Sequence, residues 1–218
     1  MPKGLFITFE GTEGCGKSTQ VELLARRLNA IGHRVRTLRE PGGTPIGEEI
    51  RHTLKHSKDN AAMTAQTELL LMNASRAQLV REVIRPALAT GEIVVCDRFY
   101  DSTTAYQGHG RQLDLKMVQT VIDVAVGEMK PDLTLLLNVP AEVSAERLHT
   151  RQTSLPFVRD RIEEADRKFF ERVAHGFGAI AAAEPQRVKH VNGAQPVEVV
   201  CQTVWEIVQP ALPKIGRW

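Results

Sequence analysis

Cysteine is scarce: Cys15, Cys96 and Cys201 are the only three in 218 residues. They stand far apart, with no CxxC pair and no Cys/His ligand spacing, so neither a disulfide framework nor a zinc site is suggested and a reducing compartment is expected. Charge of one sign is lacking too. The 28 basic and 26 acidic residues leave a formal +2, too balanced for attraction to a long nucleic acid over the whole surface. Any binding of anions must therefore be local. No stretch free of Lys, Arg, Asp and Glu approaches the roughly 20 residues that cross a bilayer. The apolar run near the N-terminus meets Glu10 before it can act as a signal peptide, so the expected location is the cytoplasm. There is no internal repeat, low-complexity tract or linker. What remains is an ordinary globular composition, 42% hydrophobic and 25% charged, of a length that suits one domain better than two.

Four short apolar runs, at residues 5–9, 35–38, 93–96 and 133–139, read as strands, and a weaker one lies at 187–191. Between them the period changes to that of helices. Residues 20–28 place Val21, Leu24, Ala25 and Leu28 on one face; 68–88 repeats apolar residues at similar spacing, with Pro86 set to kink or end it; 197–208 is helical again. Strands alternating with helices of this length predict βαβ units around a parallel sheet, a three-layer α/β fold. A Pro-containing tail follows.

Directly after the first run comes Gly11-Thr12-Glu13-Gly14-Cys15-Gly16-Lys17-Ser18-Thr19, which is GxxxxGK[ST] between a strand and a helix. Glycines at 11, 14 and 16 let the backbone fold back so that several N–H groups face inward, at the positive end of the next helix. Lys17 brings a mobile ammonium to the β- and γ-phosphates of a nucleotide, and the Ser18 hydroxyl enters the shell of its Mg2+. The rival reading is a glycine-rich turn with an exposed lysine. No asparagine is followed by lysine, so the NKxD of a GTPase is missing, as is any LSGGQ-like stretch of an ABC ATPase. Thr12 and Glu13 stand where a ParA-type ATPase carries lysine. A small P-loop phosphotransferase is left.

Two further segments follow strands at the carboxyl edge of the sheet, where doubly wound proteins bind ligands. In Arg39-Glu-Pro41-Gly-Gly-Thr44 the arginine offers a fork for a phosphate and Pro41 shapes the turn; a plain surface turn is the alternative. In Asp97-Arg98-Phe99-Tyr100 the acid offers a contact to Mg2+-bound water and the arginine a contact to phosphate; an ion pair holding the loop explains them equally well. Ser102, Thr103, Tyr106, Gln107 and Arg111 then form either a base-reading set or a solvated helix face. Arg76, inside an otherwise apolar segment, is either a buried ion-pair partner or a ligand contact.

Taken together, FEGTEGCGKST, REPGGT, VVCDRFYDSTTAYQGHGR and PDLTLLLNVP, in that order and spacing, resemble the bacterial thymidylate kinases over nearly the whole chain, most specifically at residues 95–107. The resemblance implies a five-stranded parallel sheet with helices on both faces, a homodimer, and the reaction ATP + dTMP → ADP + dTDP. It implies that Lys17 and the loop amides of residues 11–19 hold ATP with Ser18 on Mg2+, and that Arg39 and Arg98 hold the dTMP phosphate. Asp97 is implied near the 3′-hydroxyl and the metal waters, and Arg76, Thr103 and Gln107 on the polar edge of thymine. Glu10, Pro41, Ser102 and Tyr106 complete the implied dTMP site. Two positions depart from the family. Met72 stands where an aromatic residue usually stacks on thymine, and Asn138 where relatives often carry Asp.

The loop at 11–18 contains no arginine, so positive charge for the moving phosphoryl group must come from elsewhere. Arg147, His149, Arg151, Arg159 and Arg161 crowd fifteen residues in which Asp160 is the only acid. Residues 152–158 lack helical period, and the whole stretch 147–161 reads as a mobile lid over ATP, or as a solvated basic face. In the family the subtype without a loop arginine uses lid arginines, and Arg151 matches best, joining Lys17, Asp97 and Arg98 as the implied catalytic set. Two alternatives to a thymidylate kinase stay open: a deoxynucleotide kinase of broader base preference, motivated by Met72, and a P-loop ATPase acting as a regulatory switch. The second nucleotide pocket argues against the switch.

Overall fold

The computed structural model describes residues 4–57, 59–154 and 166–213, with only the backbone for 151–154. Among the described residues five parallel strands form one sheet in the order β2-β3-β1-β4-β5: β1 Leu5–Glu10, β2 Val35–Arg39, β3 Ile93–Asp97, β4 Leu133–Asn138 and β5 Val188–Asn192. All four expected runs are strands, and the weaker one is β5, shifted by one residue. The alternation of side chains dictates the layers. Leu5, Ile7 and Phe9 enter one core with Val21, Leu24 and Leu28 of α1 (Lys17–Ala30) and Val200, Val204 and Val208 of α9 (Val197–Val208). Phe6 faces the other way, into a core with Leu69 and Leu79 of α3 (Ala65–Leu79) and Val118 and Ile122 of α6 (Leu115–Val126). Thr8 and Glu10 share that second face by the same period of two. Helices thus cover both faces, as a buried parallel sheet requires.

The remaining helices are α2 Pro45–Lys55, α4 Arg85–Ala89, α5 Tyr100–Thr103, α7 Ala141–Ser154 and α8 Arg167–Ala183. The stretch expected as one helix over 68–88 is helical from Ala65 to Ala89, but passes through a widened π turn at Val80–Ile84 just before Pro86. Proline has no N–H to donate and its ring crowds the preceding turn, and the widened turn removes that conflict without ending the helix. Of the stretch 147–161 expected as a lid, residues 147–154 belong to α7, so 152–154 of the expected irregular stretch are helical, while Arg159, Arg161 and the rest of the segment to 161 lie outside the described residues, as do the tail beyond 213 and the side chain of Arg151.

The connection leaving β1 crosses β3 to reach β2, whereas the one leaving β3 crosses β1 to reach β4. Chains departing in opposite directions open a crevice at the carboxyl ends of β1 and β3. Glu10–Gly11 and Asp97–Arg98 meet there.

Candidate functional site

The loop after β1 turns back on glycines: Gly11 has φ of 136° and a Cβ there would run into the carbonyl oxygen of Leu137, so no other residue fits. Gly16, at φ 95°, caps α1. Lys17 is buried and curls over the loop, donating from Nζ to Gly11 O (3.1 Å), Thr12 O (2.8 Å) and Cys15 Sγ (3.4 Å). Cys15 itself packs into the first core, and Thr19 is exposed on α1. The loop is also held from α7: Ser144 Oγ donates to Glu13 O (2.6 Å), and Arg147 donates to Gly193 O (2.9 Å) and Gly14 O (3.4 Å). Arg147 is therefore an anchor of the loop.

Across the crevice, Ser18 Oγ donates to Asp97 Oδ2 at 2.6 Å, so the two residues expected around Mg2+ are neighbours. Arg98 sits in the left-handed region at φ 70°, a conformation costly for a side chain of this size and held by its contacts. Its guanidinium donates to Gly11 O (2.9 Å), Ser102 Oγ (3.0 Å), Glu13 Oε1 (2.9 Å) and the Tyr106 hydroxyl (3.3 Å), and lies 5.0 Å over the Tyr106 ring. Tyr106 donates to Glu13 Oε2 at 2.7 Å. Glu13 follows the loop into this group, so its carboxylate lies with Arg98 and Tyr106, while its position in the motif places it in the set expected for ATP.

A cavity opens beside Arg98, lined by Glu13, Glu40, Pro41, Lys55, Met72, Arg76, Arg98, Ser102, Thr103, Tyr106 and Gln107. Eight of the ten residues expected to bind dTMP are gathered in it. Arg76 is buried and its donors are nearly all engaged: Nε with Glu40 Oε2 (2.7 Å), Nη1 with Asn73 Oδ1 (2.8 Å) and Thr103 Oγ1 (2.9 Å), Nη2 with Phe99 O (3.2 Å). With five N–H groups on a guanidinium, one on Nη2 is left for a ligand.

Two expected residues are not among the lining set. Arg39 is half exposed and pairs with Glu48 at 3.0 Å. Successive residues at a strand end point to opposite sides, and here Glu40, not Arg39, turns toward the cavity. Glu10 is fully buried and spends both oxygens on the protein, accepting from Phe99 N (2.8 Å), Ser102 N (3.3 Å) and Ser102 Oγ (2.6 Å). It fixes the segment that carries Arg98 and Ser102. Burial, with Asp101 nearby, pushes its carboxyl up to about 7. Burial likewise raises Glu40 to about 7 against the pull of Arg76, and Glu40 Oε1 has no partner among the described residues. Sequence reasoning passed over Glu40 and Glu68, a fully buried acid beside Gln107. The signal that singled out Arg76, a charge inside an apolar segment, applied equally to Glu68.

A family model described as thymidylate kinase matches residues 9–204. A thymidylate kinase of Geobacter sulfurreducens is 46% identical over 97% of this chain and 99% of its own length; one of Pseudomonas fluorescens is 47% identical over 97% and 98%. The crystal structure of thymidylate kinase from Ehrlichia chaffeensis superposes with a TM-score of 0.77 at 31% identity, covering 95% of this chain and all of that one.

Proposed function

The chain belongs to the thymidylate kinase family and phosphorylates dTMP to dTDP with ATP by direct in-line transfer, and we propose that the loop of residues 11–18 holds the donor while the cavity beside Arg98 holds the acceptor. The observation that carries this assignment is the junction of the two half-sites, where Ser18 touches Asp97 and Arg98 reaches back to Gly11 O.

The loop amides bind the ATP phosphates, and Lys17 exchanges its present carbonyl partners for phosphate oxygens. Arg98 offers its fork to the acceptor phosphate, and Arg76, Thr103 and Gln107 meet the base. Holding both nucleotides in one crevice turns a bimolecular step into an oriented one, so no covalent enzyme intermediate is required. Ser18 and Asp97 present hard oxygen atoms 2.6 Å apart, a small donor set of the kind Mg2+ accepts while keeping its waters. Ser18 and Asp97 would hold the ion, which would supply counter-charge to the ATP phosphates. Met72 takes the place beside the base, and Glu13 with Tyr106 orients Arg98.

The loop lacks an arginine, and the likeness to the family subtype that uses lid arginines gives transition-state charge to Arg151. Replacing it by Ala lowers kcat by about 10²–10³-fold with little loss of stability, as for other donors to a developing charge; near wild-type kcat in stopped assays of ADP release overturns the role. The chain works as one kinase domain in the cytoplasm and as a homodimer. Leu70 on α3 and Met117 and Val124, seven residues apart on one face of α6, are exposed and supply the apolar surface for a second copy. Among the described residues no helix is long and apolar enough to cross a membrane.

Coupled ADP release with Mg-ATP and dTMP, dUMP, dCMP, dGMP or UMP tests the whole reading. dTMP is expected to give the highest kcat/KM; a better acceptor elsewhere in the panel means a broader deoxynucleotide kinase, and no stimulation by any of them ends the kinase reading.

A further inference from the structure

Gln107 lines the acceptor cavity and is itself almost fully buried, so the way its amide faces decides which hydrogen-bonding character the cavity wall presents. An amide turned one way offers a carbonyl oxygen and turned the other way an NH2. The choice is made by Glu68. This carboxylate, on the first turn of α3 and with no exposed surface, lies 2.7 Å from Gln107 Nε2. A carboxylate ion-paired with a guanidinium, as Glu68 is with Arg111, offers acceptors, so the NH2 faces it and Oε1 faces away. Arg111 pairs with the carboxylate, Nε donating to Oε1 at 3.3 Å and Nη2 to Oε2 at 3.1 Å. Arg111 is in turn seated 4.6 Å over the ring of Phe169 on α8. Gln107 Oε1 has no partner among the described residues.

We propose that Glu68, with Arg111 behind it, is a specificity-determining positioning residue: it locks Gln107 with its carbonyl oxygen toward the base, so that the site accepts a pyrimidine with N3–H and rejects one whose N3 is an acceptor. The inference rests on Gln107 reading the base, and it adds what fixes the direction of that reading. Thymine and uracil both carry a hydrogen on N3, which pairs with Oε1. Cytosine presents a lone pair at N3, which meets another lone pair. Buried polar groups left facing one another are costly, which makes an orientation lock an effective filter.

The test is kcat/KM for dTMP, dUMP and dCMP with Mg-ATP in the full-length protein. Glu68→Gln keeps size and shape but offers an oxygen as well as an NH2, freeing Gln107 to turn over. It is expected to narrow the dTMP/dCMP ratio by about tenfold or more, the worth of one discriminating hydrogen bond, with part of the change a gain for dCMP. The dTMP/dUMP ratio, which senses only the methyl group, is expected to stay within about twofold, since one methyl is read by packing. A purely structural role lowers all three acceptors together and leaves both ratios in place; that result overturns the proposal. Arg111→Met, made at a partly exposed position, removes the counter-charge without touching Glu68 and is expected to narrow the dTMP/dCMP ratio in the same direction. It decides the matter if Glu68→Gln does not fold: an unchanged ratio there also overturns the proposal. Gln107→Met separates the premise from the inference. If it leaves the dTMP/dCMP ratio intact, Gln107 does not read the base; if it collapses the ratio and the Glu68 and Arg111 variants do not move it, only the positioning role is wrong.

Discussion

The loop at 11–18, proposed for the donor, is a backbone turned by glycines in positive φ, whereas the cavity proposed for the acceptor is lined by side chains held by other side chains, Arg76 on Glu40, Arg98 on Glu13, Gln107 on Glu68. The two halves solve one problem, holding an anion without water, by different means. The amides themselves carry no net charge, and the one buried ion of the loop, Lys17, is held by the carbonyls of Gly11 and Thr12 and not by an acid. The acceptor half buries ions and must pair each one, because an isolated buried charge costs several kcal/mol. The first solution depends on backbone shape, the second on a connected set of partners. One side chain lost from the second should therefore spread its damage further.

Arg76→Met and Lys17→Met put that contrast to its hardest test. Arg76→Met leaves Glu40 buried without its partner and is expected to cost about 3–5 kcal/mol of stability in urea unfolding. Lys17→Met is expected to change stability by less than about 1 kcal/mol while lowering kcat about 10²–10³-fold. Equal stability losses would break the comparison. The pH response sharpens it. Glu10 and Glu40 are raised by burial from 4.5 to about 7, so the folded state binds more protons than the unfolded one between about 4.5 and 7. Stability therefore falls as pH rises through that window. Loop amides do not titrate, so the effect belongs to the acceptor half, and melting temperatures of Glu10→Gln are expected to show a flatter slope there than wild type.

Met72→Phe supplies a ring where the cavity wall now has a thioether and is expected to lower KM for dTMP by about two- to tenfold, the worth of one aromatic stack. A rise in KM means the cavity is already filled around Met72. The smallest effect belongs to Arg39→Ala. Its pair with Glu48 is exposed, so stability is expected to move by less than about 1 kcal/mol. KM for dTMP is expected to hold as well, since Arg39 does not line the cavity; a large rise would return Arg39 to the phosphate site.

This asymmetry also explains what could be read from the chain. The donor loop is a contiguous string whose spacing is its geometry, so Gly11, Gly16, Lys17 and Ser18 were legible at once. The strands were legible because burial on both faces makes them continuous apolar runs. The acceptor cavity gathers residues from five separate segments, and resemblance rather than pattern brought most of them together. Glu40 and Glu68 escaped because their work is done on other side chains, across 36 and 39 positions of sequence, and no local spacing records such a pairing. Arg39 was assigned by its neighbours in REPGGT, where the alternation at the strand end gives the inward place to Glu40. Glu13 belongs to the ATP set by its place in the loop, and the contacts of its carboxylate with Arg98 and Tyr106 have no record in the motif.

The carbonyl oxygen of Gly11 accepts from Lys17 on one side and from Arg98 on the other. Before nucleotides bind, a single backbone atom thus gauges the spacing of these two cations, and the separation of their bonding nitrogens cannot exceed the two bonds that meet on it. The enzyme carries its own ruler, one atom wide: a change that shifts Gly11 moves both marks together and keeps the interval between them.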